Sequence, residues 1–213
     1  MIGVPIAVLL FFGVVVRGGS SVDETLPGIL TLAIVASGLV NLGIATAYER
    51  GYGVLKRLGG SPLGRSGVVA AKLGVVVAIA LAQVGGLVGV ALALGWRPGP
   101  DASLPALAIA TVIGAAAFAG LGLAIAGTFR PEAALVVANV AFLLVLGLGG
   151  ALMPIGALPA PLAAAVSVLP VGALSEAFAS ALGSGAQLAT PLGLTGAWAI
   201  GALLLAVRTF RWD

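Results

Sequence analysis

The segment YERGYGVLKRLGGSPLGRSGVVAAK, Tyr48 to Lys72, gathers Glu49, Arg50, Lys56, Arg57, Arg65 and Lys72 into one short stretch. The whole chain of 213 residues has only 10 Lys+Arg and 7 Asp+Glu. Projected at 100° per residue, residues 49–58 divide cleanly. Gly51, Tyr52, Val54, Leu55 and Leu58 fall on one half; Glu49, Arg50, Gly53, Lys56 and Arg57 fall on the other. The pattern predicts an amphipathic helix of about three turns. Gly59-Gly60 supplies its stop, because glycine accepts the left-handed conformation at a helix C-terminus. Ser61 as N-cap and Pro62 at the first position then open a second helix. That helix runs through Arg65 and Lys72 into the next apolar run.

Working outward, the rest of the chain is oily. It is 61% hydrophobic and 8% charged, with a mean hydropathy of +1.22. Soluble domains carry about 25% charged residues. Too little polar surface remains to coat a water-facing globule, so lipid is the solvent for most of the chain. A bilayer core about 30 Å thick is crossed by roughly 20 helical residues. On that measure the chain is an all-α, polytopic integral membrane protein, a single transmembrane domain over 1–213 with no soluble domain. Its six expected spans lie at about 2–16, 27–48, 67–96, 105–129, 134–153 and 192–210. The first run is short, but no basic lead-in and no small-x-small cleavage site precede Val22, so it reads as a span rather than a signal peptide. The charged segment becomes a helical hairpin between spans two and three.

Lys and Arg orient the chain. With both termini cytosolic, the inside holds Arg50, Lys56, Arg57, Arg65, Lys72, Arg130, Arg208 and Arg211, and the outside only Arg17 and Arg97. The hairpin's basic half then faces the cytosol, either as an anchor on anionic lipid or as a docking element for a partner. The basic residues sit at the ends of apolar runs, so the net charge of +3 does not imply nucleic acid. Trp96 and Trp212 stand at span ends, where amphipathic rings favour the headgroup layer.

Small residues recur about a turn apart in GGLVG at 85–89, GAAAFAGLGLAIAG at 114–127 and GLGG at 147–150. They predict close helix packing. Ser37, Asn41, Thr46, Gln83, Thr111, Asn139 and Thr195 are the polar residues expected inside the bundle, with Asn41, Gln83 and Asn139 the candidates for a pathway or for interhelical hydrogen bonds. Residues 154–191 are too apolar for an exterior loop and too broken by Pro154, Pro159, Pro161 and Pro170 for one span. Irregular backbone at membrane depth needs protein or water around it. A re-entrant helical hairpin before the last span fits, with Pro161 and Pro170 near helix starts and Glu176 inside it.

Chemistry is constrained by what is missing. Without Cys or His, thiolate or imidazole metal sites, a Cys nucleophile and a His base are excluded. The seven carboxylates are scattered, so no metal site or acid–base catalyst is expected, and Asp23-Glu24 reads as a solvated loop. No GxxxxGK[ST] phosphate cradle exists: the lysines, Lys56 and Lys72, do not follow glycine. The chain is therefore not expected to be an enzyme.

Two blocks resemble the permeases of ABC type-2 exporters. The segment ERGYGVLKRLGGSPLGRSGVVAAKL is similar to that family's E-R-E-x-G-T-L-K-R-L-R-x-[ST]-P-[LV] signature through Glu49, Arg50, Gly53, Leu55, Lys56, Arg57, Leu58, Ser61, Pro62 and Leu63. The second block resembles it through Arg130, Pro131, Glu132, Ala133, Asn139, Gly150, Pro154, Leu158, Pro159, Leu169, Pro170, Glu176 and Ala177. The terminal RTFRWD resembles the family's basic-aromatic tail. The resemblance implies a substrate pathway built by two permeases, a second copy or a paralogue, in a bacterial cytoplasmic membrane. It implies separate cytosolic ATP-binding subunits that carry ATP and Mg, with no cofactor on this chain. It makes the hairpin the coupling helix, so that Glu49, Arg50, Tyr52, Gly53, Leu55, Lys56, Arg57, Leu58, Ser61 and Pro62 meet the ATPase. It makes Pro154, Pro159, Pro170 and Glu176 parts of an exterior gate. A stand-alone channel or secondary transporter is the alternative, but such proteins place ionisable groups at mid-membrane, and no expected span has one.

Overall fold

The computed structural model describes residues 20–58, 64–152 and 155–209. The expected span at 2–16 lies outside them, as do Gly59, Gly60, Ser61, Pro62, Pro154 and the tail beyond Thr209. All regular structure among the described residues is helical. The elements are α1 (Ser20–Val35), a wide π-type turn (Ala36–Asn41), α2 (Leu42–Gly51), α3 (Val54–Leu58), α4 (Arg65–Ala93), α5 (Leu104–Thr128) and α6 (Pro131–Leu148). A short 3-10 turn (Ile155–Ala157) precedes α7 (Ala160–Val168), α8 (Pro170–Ala181) and α9 (Ala189–Thr209).

Among the described residues, five helices are long and apolar enough to cross a membrane: Val22–Gly51, Ser66–Ala93, Leu104–Thr128, Pro131–Leu148 and Ala189–Thr209. The pair α7–α8, bent by 87°, adds a sixth if counted as one span. Proline shapes the bend. Pro161 lies in the first turn of α7, and Pro170 begins α8 directly after Leu169 in extended conformation, where the missing proline N–H costs nothing. Gly172 permits the fold-back, since a Cβ there would come within 2.1 Å of the Val166 carbonyl oxygen.

The bundle is built around two helices. The continuous rod α1–α2 and α5 are largely buried by their neighbours, whereas α4, α6 and α9 cover them and turn one face outward. The rod crosses α5 where Gly38 and Gly43 meet Gly122. A Cβ on Gly122 would lie 2.5 Å from the Gly38 carbonyl oxygen, so the backbones touch because neither has a side chain between them. The wide turn at Ala36–Asn41 sits at this crossing; Gly38 also lies against Phe118 and Ala119. Farther along α5, Gly114 receives Leu174 of α8, and Gly120 and Gly127 receive α9 at Ala202 and Thr209.

The expected close packing of small residues therefore divides. The 114–127 stretch and Gly149–Gly150 are packed; Gly85, Gly86, Gly89 and Gly147 meet no atom within 4 Å. Three further expectations are corrected. Residues 49–58 are not one amphipathic helix: α2 ends at Gly51, and Gly53, at φ +71°, turns the chain before α3, a conformation open to glycine. The helix after the hairpin begins at Arg65 behind an extended Gly64, later than Ser61-Pro62 implied. Asp23-Glu24 is not loop but the first turns of α1.

Candidate functional site

The hairpin forms an elbow at one end of the bundle. Its links to the body are specific. Lys72 Nζ donates to Glu49 Oε2 at 2.6 Å, joining α4 to α2. Arg50 Nη1 donates to the Gly127 carbonyl at 2.8 Å, and Nη2 to the Phe129 carbonyl. These carbonyls end α5, where backbone acceptors lack helical partners and a cation complements the helix dipole. Leu55 of α3 is only 1% exposed and joins the apolar core. Gly51 lies against the Pro131 ring at the start of α6. These contacts tie residues 49–55 to the bundle.

The remaining residues of the elbow face outward. Tyr52 is 76% exposed, and Val54, Lys56 and Arg57 are exposed beside it. Among the described residues, neither Lys56 nor Arg57 has a carboxylate within 4.0 Å, the single ion pair being Lys72–Glu49. The ten residues expected at one interface thus separate. Glu49, Arg50 and Leu55 bind inward; Tyr52, Lys56 and Arg57 point away; Gly53 makes the turn. Leu58 ends α3, and Ser61 and Pro62 are outside the described residues.

The opposite end is organised differently. Trp96 is buried, and its indole N–H donates to Asp23 Oδ1. The indole N–H and the carboxylate satisfy each other at this span end. Backbone bonds from Gly99 N–H to the Leu182 carbonyl and from Ser103 N–H to the Ala181 carbonyl, both 2.9 Å, tie the α4–α5 connection to the end of α8. A cavity of about 330 Å³ lies beside them, lined by Asp23, Glu24, Ser175, Glu176 and Ser184 among others. Pro159 caps α7, Pro170 starts α8, and Glu176 is exposed on α8. Trp198 of α9 donates to the Val168 carbonyl at 3.0 Å and fixes the end of α7.

The three candidate pathway residues do not converge. Gln83 is buried on α4, and its Oε1 has no hydrogen-bond partner among the described residues. Asn139 is exposed on α6, its Nδ2 donating to the Leu135 carbonyl of its own helix. Asn41 is exposed at the end of the wide turn, facing a groove between the rod and α4. The expectation that Asn41 and Asn139 lie inside the bundle is therefore corrected for the single chain. Ser37, Thr46, Thr111 and Thr195 are buried. Ser37, Thr111 and Thr195 return their hydroxyls to carbonyls of their own helix; Thr46 Oγ1 has no hydrogen-bond partner among the described residues. The groove was missed in the sequence because Ala45 and Ala71, which open it, look like any other alanine.

Apolar helices of spanning length, packed through glycine and broken once by a bent pair, define a polytopic membrane protein. A family model described as ABC-2 family transporter protein matches residues 2–208, and the chain belongs to that family. A search of curated proteins finds no match. Members of the family are membrane permeases without a catalytic ATPase domain, and they act with ATP-binding subunits.

Proposed function

We propose that the chain is the transmembrane subunit of an exporter, and that the elbow receives the force generated by separate cytosolic ATPases. One observation carries this reading: exposed Lys56 and Arg57, beside exposed Tyr52, have no carboxylate partner among the described residues, while Glu49, Arg50 and Leu55 clamp the same elbow to three helices. A push on the exposed side is transmitted to α2, α4 and α5 together. Because α2 continues without interruption into α1, and α1 packs on α8, displacement at the elbow reaches the bent pair at the far end. The pair α7–α8 is the re-entrant hairpin of this reading and forms the exterior gate, with Pro159, Pro170 and Glu176 on it. The pathway lies between two permease halves, a second copy or a paralogue. The outward face of α6, where Asn139 sits among Leu135, Val136, Val140 and Leu143, is the surface offered to that half.

The test is charge reversal of the elbow. Lys56→Glu with Arg57→Glu leaves the chain inserted and folded, since neither side chain contributes to the bundle, but abolishes co-purification of the ATPase and ATP-driven export. Normal export by the double variant would overturn the coupling role.

A further inference from the structure

We infer that the groove between the α1–α2 rod and α4 binds a zwitterionic glycerophospholipid from the leaflet at the elbow end. The groove measures about 360 Å³. Its walls are membrane-spanning helices, and Val75 and Ile79 on its α4 side are 61% and 40% exposed. It therefore opens sideways, towards the solvent of those apolar side chains. Small residues make the room: Ala45 on α2 stands where a larger side chain would close the gap.

The polar groups in this apolar slot select the headgroup. The Lys72–Glu49 pair lies at the elbow end of the groove. One Glu49 oxygen and two Lys72 protons remain unused by the pair. A lone anion placed there would face the carboxylate, and a lone cation would face the ammonium. A headgroup with both an amine and a phosphate sets each against its opposite charge, completing an alternating arrangement of four. Asn41 supplies the third contact. It stands eight residues before Glu49, about 12 Å deeper along the helix, exposed and without a hydrogen-bond partner among the described residues. An unpaired carboxamide in hydrocarbon is costly. Over a comparable distance a glycerophospholipid runs from its terminal amine through phosphate to its ester carbonyls, which accept hydrogen bonds. Val75 and Ile79, about 4 and 10 Å along α4 from Lys72, flank the stretch between headgroup and esters, and the acyl chains run deeper, beyond Asn41. No partner subunit enters this inference, so it stands or falls separately from the export reading.

The test uses the full chain, purified in nanodiscs of phosphatidylglycerol doped with phosphatidylethanolamine carrying a photoreactive group at the glycerol end of an acyl chain. The expected labelling concentrates on residues 41–49 and 71–79. Asn41→Leu, and separately Lys72→Met with Glu49→Met, lower phosphatidylethanolamine retention relative to phosphatidylglycerol by about tenfold. Ala45→Phe, which fills the groove and leaves the ion pair in place, does the same and guards against loss through misfolding. Equal retention of the two lipids, or labelling spread evenly over α4, α6 and α9 and indifferent to Ala45→Phe, overturns the inference. So does an efficient crosslink from Ala45→Cys, unique in a chain without cysteine, to a second copy or to the run at 2–16, because either would then be the occupant.

Discussion

Arg50 and Arg57 lie seven positions apart in one charged segment, yet they do different work. Arg50 satisfies two carbonyls at the end of α5; Arg57 meets no described partner. A hydrogen bond from a charged donor contributes about 1.5–3 kcal/mol when well shielded. The Arg50 contacts are only part-buried or exposed, so Arg50→Gln should cost about 1 kcal/mol. That corresponds to a fall of about 2–4 °C in Tm for a chain of this size, measured by thermal unfolding in detergent. Arg57→Gln should stay within about 0.5 kcal/mol of the parent. If the two variants melt together, Arg50 does not clamp the elbow. The sequence displayed both arginines on the polar half of one helical projection. What it could not display is the turn at Gly53, which rotates α3 away from α2 and so separates a structural cation from an exposed one. A glycine inside a helical pattern is consistent with either a continuous helix or a break, and only the neighbouring surfaces decide between them.

At the scale of the helix, the same ambiguity governs the glycines. Composition and run length made the spans on the α1–α2 rod, α4, α5, α6 and α9 legible, since each needs only about 20 apolar residues. Proline marked the start of α8. Which helices are central was not legible, because small residues recur at helical spacing in α4, α5 and α9 alike. Packing separates them. Gly122 touches the rod's backbone, while Gly85 and Gly86 face open space. Gly122→Val forces Cβ to within 2.5 Å of the Gly38 carbonyl oxygen and 2.9 Å of that of Leu39. These are backbone atoms that cannot rotate away, so the substitution should cost about 1–3 kcal/mol and splay the rod from α5. Gly86→Ala meets nothing, and by helix propensity it should be neutral or stabilising by up to about 1 kcal/mol. Unfolding midpoints of the two purified variants check the contrast. A severe loss in Gly86→Ala would show that α4 carries a tight contact there, in an assembly or with lipid.

For the whole molecule, the decisive feature is how charge is sorted. Arg50, Lys72 and Arg130 lie with the elbow at one end. The contact of Gly127 with Thr209 brings Arg208 there as well. Lys56 and Arg57 are on the elbow itself. Asp23, Glu24, Asp101 and Glu176 lie at the other end, with Arg97 the cation among them. Packing accounts for only part of this sorting: Arg50 and Lys72 have partners in the bundle, whereas Lys56 and Arg57 have no ion-pair partner among the described residues. The remaining cause lies in insertion, where Lys and Arg near span ends are retained on the cytosolic side. On that rule the elbow is proposed to face the cytosol, where a nucleotide-driven partner can reach it. The absence of cysteine makes the assignment directly measurable. In sealed right-side-out vesicles, an impermeant maleimide should label Asp101→Cys and leave Lys56→Cys untouched until the membrane is permeabilised. Both positions are exposed, so a missing signal reports the membrane rather than burial. The reverse pattern would put the elbow outside the cell and remove its access to ATP-driven subunits. Export coupled through Lys56 and Arg57 would then be physically impossible, however well the helices pack.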